Sequence, residues 1–306
     1  MTRAVVFAYH NVGARCLRVL RAHEIDVALV VTHRDDPGEA RWFERVADVA
    51  SDCGLPWVAP DDANAPDFVA AVAALHPDFL FSFYYRRMLS PALLGLAPRG
   101  ALNMHGSLLP KYRGRAPVNW AVLHGERETG ATLHYMEAKP DAGAIVAQQA
   151  VPILPDDTAK DVMDKVTVAA EIVLDRALPA LVAGTAPRIP NDLAAGSYFG
   201  ARSPDDGRID WTRPAVEVHN LVRAVAPPFP GTTTTIAGRP ARVLRTRVVD
   251  TTDAGPPTLH ASDDRLTIRC GGGGTLAILA LEIDGEIVDP STVRTRFGAT
   301  VALDAD

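Results

Sequence analysis

The stretch Ala101-Leu-Asn-Met-His-Gly-Ser-Leu-Leu-Pro-Lys-Tyr-Arg-Gly-Arg-Ala-Pro117 begins as a strand and ends as a loop. Residues two apart on a strand share a face. Asn103 and His105 therefore point one way, and Leu102 and Met104 the other. Two polar side chains at the end of an apolar strand are costly unless they are satisfied or used. At Gly106 the chain leaves the strand for a loop rich in Pro, Gly and Arg.

Outward from this stretch, strands and helices alternate. Ala4–Tyr9, Asp26–Thr32, Trp57–Ala59 and Asp78–Phe83 read as strands. Between them, Gly13–His23, Trp42–Cys53, Phe68–Leu75 and Ser90–Leu96 have helical spacing, with Ser90 suited to cap the last of them. Strands that are apolar throughout and alternate with helices predict a mostly parallel sheet covered on both faces. Ligands of such sheets bind beyond the carboxyl ends of the strands, which is where Asn103 and His105 lie.

Pro117 suits the first turn of a helix reaching Leu123. Thr129–Glu137 and Ala144–Ile153 read as two strands around the turn Lys139-Pro-Asp-Ala-Gly143. A longer helix follows, capped by Asp156 or Asp157, with Val162, Val166, Ala169 and Val173 on one face; Pro179 is expected to bend or end it. Gly184–Gly196 reads as a linker, and the character then changes. After the turn Pro204–Gly207 and a short helix Glu217–Ala224, the stretches Thr232–Ile236, Ala241–Val248, Leu266–Cys270 and Thr275–Ile283 read as short strands of a small antiparallel β domain. The expected organisation is α/β: a Rossmann-like domain over residues 1–190, then a barrel-like β domain over 200–306. Beyond about Gly255 no motif stands out.

The chain has 306 residues, 47% hydrophobic, with a formal net charge of -6. That length is enough for two domains. The acidic balance does not favour a nucleic-acid partner. Three widely spaced cysteines, Cys16, Cys53 and Cys270, fit neither a disulfide framework nor a zinc knuckle. No run approaches the roughly 20 apolar residues of a membrane span, and the N-terminus lacks a signal-type apolar segment. A soluble cytoplasmic protein is expected.

Several familiar signals are absent. Gly271–Gly274 joins two strands and precedes no helix, so it reads as a hairpin loop. No G-x-G-x-x-G follows the first strand. His23-Glu24 is not continued to a second histidine, since position 27 is Val27, and no metal is expected. His76, His124 and His219 read as surface or packing residues.

Asn103, His105 and Asp141 stand apart because they can converge: Asp141 follows a strand that could neighbour Asn103 and His105. Taken singly, Asn103 could cap a turn, His105 could be a satisfied core histidine, and Asp141 could initiate the turn to Gly143. Together they suit acyl transfer to an amine. Asn103 can donate a neutral hydrogen bond to the developing oxyanion, and His105 a charged one if protonated. Asp141 is expected to raise the pKa of His105.

These residues also form a longer pattern. Asn103-x-His105-x-Ser107-Leu108-Leu109-Pro110-x-Tyr112-Arg113-Gly114, followed by Asp141-x-Gly143, resembles the folate-dependent formyltransferase family. The resemblance implies that Asn103, His105 and Asp141 are the catalytic trio and that the formyl donor is 10-formyltetrahydrofolate. It implies that Arg87, Met88, Leu89 and the segment Glu137, Ala138, Lys139, Pro140, Asp141 frame the folate, with Arg115 close by. Backbone groups can match the donors and acceptors on a pterin edge.

Four further motifs are similar to the formyltransferase domain of bacterial aminoarabinose modification of lipid A. They are Val5–His10, Phe81–Arg86, Arg113–Pro117, and Arg202–Gly207 with Trp211. The similarity spans roughly residues 1 to 250. It implies a UDP-linked amino sugar, 4-amino-4-deoxy-L-arabinose, as acceptor. Relatives that act on tRNA usually have Ala where Arg115 stands, and a basic insertion near the second strand. Here Arg34–Arg45 sets Asp35, Asp36, Glu39 and Glu44 against Arg34, Arg41 and Arg45. In the best-known enzyme of this type a dehydrogenase domain is fused on, so a stand-alone transferase is expected here. A methionyl-tRNA formyltransferase and an inactive folate-binding regulator are the alternatives. Tyr9, His10 and Pro204–Gly207 are candidates for gripping the nucleotide.

Overall fold

The computed structural model describes residues 1–35, 38 and 41–303. Contacts divide the chain into two units. The first comprises Met1–Pro117, Glu128–Pro152 and Met163–Gly200; the second comprises Val118–Arg127, Ile153–Val162 and the chain from Ala201 onward.

The first unit begins β1 (Arg3–Ala8), α1 (His10–Ala22), β2 (Asp26–Val31), α2 (Val46–Asp52), β3 (Trp57–Val58), α3 (Pro66–Ala73), β4 (Phe79–Phe83), α4 (Pro91–Leu94) and β5 (Gly100–His105). Next along the chain come β6 (Arg113–Gly114), α5 (Pro117–Leu123), which belongs to the second unit from Val118 on, β7 (Glu128–Tyr135), β8 (Ile145–Pro152), α6 (Ala159–Ala183), which lies in the first unit from Met163 on, and β9 (Tyr198–Phe199). The main sheet has the order β3-β2-β1-β4-β5-β7-β8. Its first five strands are mutually parallel, while β7 runs antiparallel to β5 and β8 antiparallel to β7. It is a Rossmann-like, mostly parallel sheet. The apolar strands are buried as their composition requires. Phe7, Phe81, Phe83 and Leu102 have no exposed surface, and each such burial contributes about 2 kcal/mol.

Several boundaries differ from the sequence reading. α1 starts at His10, ahead of Gly13, because His10 turns into the helix at a positive φ of 65°. α2 starts at Val46, after Trp42. Ser90 does cap α4, its Oγ accepting from the Leu93 N–H at 3.3 Å. α6 is capped by Thr158, and not by Asp156 or Asp157. Thr158 Oγ1 accepts from the Asp161 N–H, and Asp161 returns the bond to the Thr158 N–H. Asp157 is already engaged by the Leu154 N–H. α6 runs through Pro179 to Ala183. Its buried stripe of Val166, Val173, Leu174, Leu178 and Leu181 outweighs the proline, since packing supplies most helical stability.

The second unit contains α7 (Ala215–Val225), β10 (Thr234–Ile236), β11 (Arg239–Asp250), β12 (Thr258–Ala261), β13 (Leu266–Arg269), β14 (Thr275–Ile283), β15 (Glu286–Ile287), α8 (Pro290–Phe297) and β16 (Thr300–Ala302). Its antiparallel, barrel-like sheet follows the order β10-β11-β14-β13-β12-β16, with β15 on β14. Trp211, Val243, Leu259, Ile268, Leu276 and Val293 fill its core. The four glycines do close the hairpin between β13 and β14, where the Cys270 N–H donates to Gly274 O. After Gly255 the expected strands at Leu266–Cys270 and Thr275–Ile283 appear as β13 and β14, whereas β12, β15, α8 and β16 escaped the sequence reading, although α8 has a readable start: Asp289 Oδ1 accepts from the Thr292 N–H at 2.7 Å, with Pro290 in the first turn.

Candidate active site

The register of β5 against β7 places Asn103 opposite His134 and His105 opposite Thr132. The turn after β7 then returns Asp141 to the end of β5. Asp141 Oδ1 stands 3.5 Å from Asn103 Nδ2, from His105 Nδ1 and from His134 Nε2. Its Oδ2 accepts from the Gly114 N–H at 2.9 Å. The three sequence-selected residues meet, and His134 is a fourth member that the sequence reading missed.

Two glycines of the motif have definite roles. Gly114 has φ +97°, and a Cβ there would stand 2.1 Å from Phe199 O. A Cβ on Gly143 would stand 1.9 Å from Tyr135 O. Only glycine permits either approach. The loop between them and His105 is pinned by Thr132, whose Oγ1 donates to Ser107 O at 2.6 Å and accepts from the Leu109 N–H at 3.2 Å. Gln148 Nε2 donates to Leu109 O at 2.8 Å.

The hydrogen bonds fix the protons. His105 Nε2 lies 2.8 Å from Tyr112 O. A carbonyl can only accept, so Nε2 carries the proton and Nδ1 is left to face Asp141. His134 Nδ1 likewise donates to Tyr135 O at 2.8 Å, leaving Nε2 to accept from Asn103 Nδ2 at 3.2 Å. Asn103 is thereby held with its amide nitrogen toward His134 and Asp141.

Burial lowers the pKa of His105 below its ordinary 6.5, and a second histidine, His134, adds to this; Asp141 and the Tyr112 carbonyl act the other way without reversing it. The expected upward shift is therefore corrected. Asp141 does favour the imidazolium, but desolvation outweighs it. Burial would raise the Asp141 carboxyl, yet the Gly114 N–H and, when protonated, His105 and His134 hold it below the ordinary range. The site sets an imidazole that burial shifts toward its neutral form, Nδ1 toward Asp141, beside a carboxylate shifted toward its ionised form. It can take a proton from an amine, stabilise the resulting imidazolium and offer an amide N–H to an oxyanion.

Arg87 and Met88 are exposed, and Leu89 is buried in a cluster that Met136 also packs against. The Arg87 guanidinium donates to Asp61 O. Glu137, Ala138 and Lys139 are exposed, Pro140 is half-buried, and the N–H groups of Glu137, Ala138 and Lys139 donate to no main-chain carbonyl among the described residues. Arg115 is exposed; its N–H donates to Phe199 O at 2.9 Å, and its guanidinium has no partner among the described residues. Tyr9 and His10 are buried in a cluster with His33, Trp42 and Phe43. Pro204–Gly207 forms a 3₁₀ turn closed by Ser203 and Asp206. Asp35 pairs with Arg41 and Arg45, and Glu44 with Arg18; Asp36 and Glu39 lie outside the described residues. Among the described residues no group of three His, Cys, Asp or Glu side chains is arranged to hold a metal ion, and no helix is long and apolar enough to cross a membrane.

Residues 3–178 match the family model described as formyl transferase, and residues 202–295 match formyl transferase, C-terminal domain. The fold is similar to that of the N-formyltransferase from Helicobacter canadensis in complex with folinic acid and dTDP-3-aminofucose. That likeness has a TM-score of 0.71 at 18% identity, over 91% of this chain and 99% of the other. WlaRD, a sugar 3N-formyl transferase solved with dTDP and 5-N-formyl-THF, gives a TM-score of 0.70 at 19% identity, over 94% and 99% of the two chains. Glycinamide ribonucleotide transformylase 1 from Symbiobacterium toebii gives 0.53 at 27% identity, over 60% and 89%.

Proposed function

The chain belongs to the formyl transferase family, and from that premise we propose that it transfers the formyl group of 10-formyltetrahydrofolate to the amine of a nucleotide-linked amino sugar. The observation that carries the reading is the meeting of Asn103, His105 and Asp141 at the end of β5, with His105 Nδ1 3.5 Å from the Asp141 carboxylate. The sugar-acting neighbours, solved with dTDP or a dTDP-sugar, support a nucleotide-sugar acceptor. UDP-4-amino-4-deoxy-L-arabinose is the acceptor we favour, on the motifs Val5–His10, Phe81–Arg86, Arg113–Pro117 and Arg202–Gly207. The domains we assign are 1–190 for catalysis and 200–306 for the barrel-like domain, acting in the cytoplasm.

The folate, when bound, supplies an activated formyl carbon on nitrogen. We assign its binding to Arg87, Met88, Leu89, Arg115 and Glu137–Asp141. The exposed main chain at Glu137–Lys139, whose N–H groups meet no main-chain acceptor among the described residues, suits the hydrogen-bonding edge of a pterin. Arg115 offers a guanidinium that no described residue engages to a carboxylate or phosphate.

The amine attacks as the neutral base, and a C–N bond forms. The electron pair of the carbonyl moves to oxygen, which accepts a hydrogen bond from the Asn103 Nδ2 N–H that otherwise reaches Asp141 Oδ1 at 3.5 Å, while His134 holds the other N–H. His105 Nδ1 accepts the proton released by the attacking nitrogen. The Asp141 carboxylate, 3.5 Å away, stabilises the imidazolium. As the bond to the folate nitrogen breaks, that nitrogen takes the proton back from His105. Proton and formyl group are then both accounted for without a covalent enzyme intermediate.

The test is incubation with 10-formyltetrahydrofolate and a panel of UDP- and dTDP-linked amino sugars that includes UDP-4-amino-4-deoxy-L-arabinose. A formamide product on one of them is the expected result. Turnover confined to charged initiator tRNA would overturn the sugar assignment. Binding of folate with no turnover on any acceptor would mark the chain as a folate-binding regulator.

A further inference from the structure

The segment Ile189–Phe199, which the sequence presents largely as linker, bonds to both stretches of chain that build the site. At one end Ile189 and Ile145 exchange N–H to carbonyl bonds of 2.9 and 2.8 Å. Two residues later, Asn191 Nδ2 donates to Asp141 O at 3.0 Å and to Gly143 O at 3.3 Å. Both partners are carbonyls, so the amide orientation is fixed: Oδ1 in that place would face two acceptors. Asp141 needs such support. Its φ is +49°, a left-handed conformation that a non-glycine residue holds only when its surroundings over-determine it.

At the other end, Ser197 Oγ accepts from the Tyr112 N–H at 2.9 Å, and Ser197 O accepts from the Arg113 N–H at 3.0 Å. β9 then pairs in parallel with β6, Arg113 against Tyr198 and Gly114 against Phe199. Tyr112 O is the acceptor that sets the tautomer of His105. Gly114 N–H is the donor that holds Asp141 Oδ2.

We propose that Asn191 and Ser197 are positioning residues for formyl transfer. Asn191 holds the backbone of Asp141, and Ser197 brackets Tyr112, its Oγ on the Tyr112 N–H and its carbonyl on the Arg113 N–H of the peptide whose oxygen orients His105. Neither needs to touch substrate. This rests on the assignment of Asn103, His105 and Asp141 as the catalytic groups.

The experiment compares the full-length wild type with Asn191→Ala and Ser197→Ala by steady-state kinetics and by amide hydrogen exchange. Kinetics use 10-formyltetrahydrofolate and the amino-sugar nucleotide that the wild type formylates. For Asn191→Ala, kcat should fall roughly 10²-fold, as misplacement of a reacting group by about an ångström does, with KM unchanged. Exchange at the Gly114 N–H should accelerate while the amides of β1 and β4 keep their protection. For Ser197→Ala, kcat should fall with the same unchanged KM, and the Tyr112 N–H should exchange faster. An unchanged kcat together with unchanged exchange at Gly114 overturns the role of Asn191. A general loss of protection, with kcat and KM degraded together, also overturns it, because the segment would then only support the fold. Should Asn191→Ala not fold, Ser197→Ala decides by the same two measurements. If the wild type formylates no acceptor, the functional reading falls, while exchange at Gly114 still decides whether Asn191 holds Asp141.

Discussion

His134 Nε2 lies 3.2 Å from Asn103 Nδ2 and, because its other ring nitrogen donates to Tyr135 O, can only accept there. Asn103 is therefore aimed by a histidine that is itself 1% exposed and out of reach of ligand. Replacing His134 by Ala should leave folate binding intact and lower kcat roughly 10²-fold, the scale of a misplaced reacting group. Steady-state kinetics with a folate-binding titration checks this. A His134→Ala enzyme with wild-type kcat would mean that Asn103 is oriented by something else.

His105→Ala removes the proton acceptor directly. Formyl transfer should slow by at least about 10²-fold, and folate should still bind. Turnover at the wild-type rate would refute the assignment of His105.

The pH profile follows from the lowered pKa of His105. The imidazole acts as a base, so the rate should be flat through pH 7 and fall only below 6.5, the ordinary histidine value from which burial depresses it. Asp141→Asn removes the one side chain that raises this pKa. The acid limb should then move to still lower pH while the plateau rate drops, since the imidazolium loses its counter-charge. Profiles of kcat against pH at saturating acceptor for the two proteins test the pair of claims. A limb displaced upward in Asp141→Asn would contradict the electrostatics.

How much of this was legible before the fold was known depends on the residue. Asn103 and His105 declare themselves through the period of a strand, and Asp141 through its place before Gly143 in a turn. The alternation that gives the mostly parallel sheet is equally plain in β1, β2, β4 and β5. His134 was available as a polar residue two positions beyond Thr132 in β7, yet its meaning depends on the β5–β7 register, which one-dimensional pattern does not fix. The direction of the His105 shift was misjudged because charge is visible in sequence and desolvation is not. Asn191 was hidden for a related reason: a run of Gly, Pro and Asn reads as linker until the carbonyls it bonds are known.

Gly114 gives a prediction about stability and chemistry together. Alanine there would have to hold φ near +97° and would meet Phe199 O. Gly114→Ala should cost about 1–3 kcal/mol, the range for a strained backbone position, read as a lower urea midpoint. The same shift moves the N–H away from Asp141 Oδ2, so activity should fall at pH values where the variant remains folded. A variant as stable and as active as wild type would show that the β6–β9 approach is loose.

His33 sets a further pH dependence, this one of stability. Its ring stacks on Tyr85 at 4.1 Å, and its Nε2 accepts from the Arg86 N–H at 3.0 Å, so it is held neutral. Burial, followed by the charges of Arg87 and Arg86, lowers its pKa from 6.5 to about 4. Between those values the unfolded chain binds a proton there that the folded chain does not. Stability must therefore fall as pH drops through that window, and the contribution is fully present above 6.5. His105 and His219, also lowered by burial, act in the same direction. His33→Gln retains a side-chain acceptor for Arg86 and removes the titration. Its urea midpoint should decline less steeply than that of the wild type between pH 6.5 and 4. Parallel declines would assign the acid sensitivity to other groups.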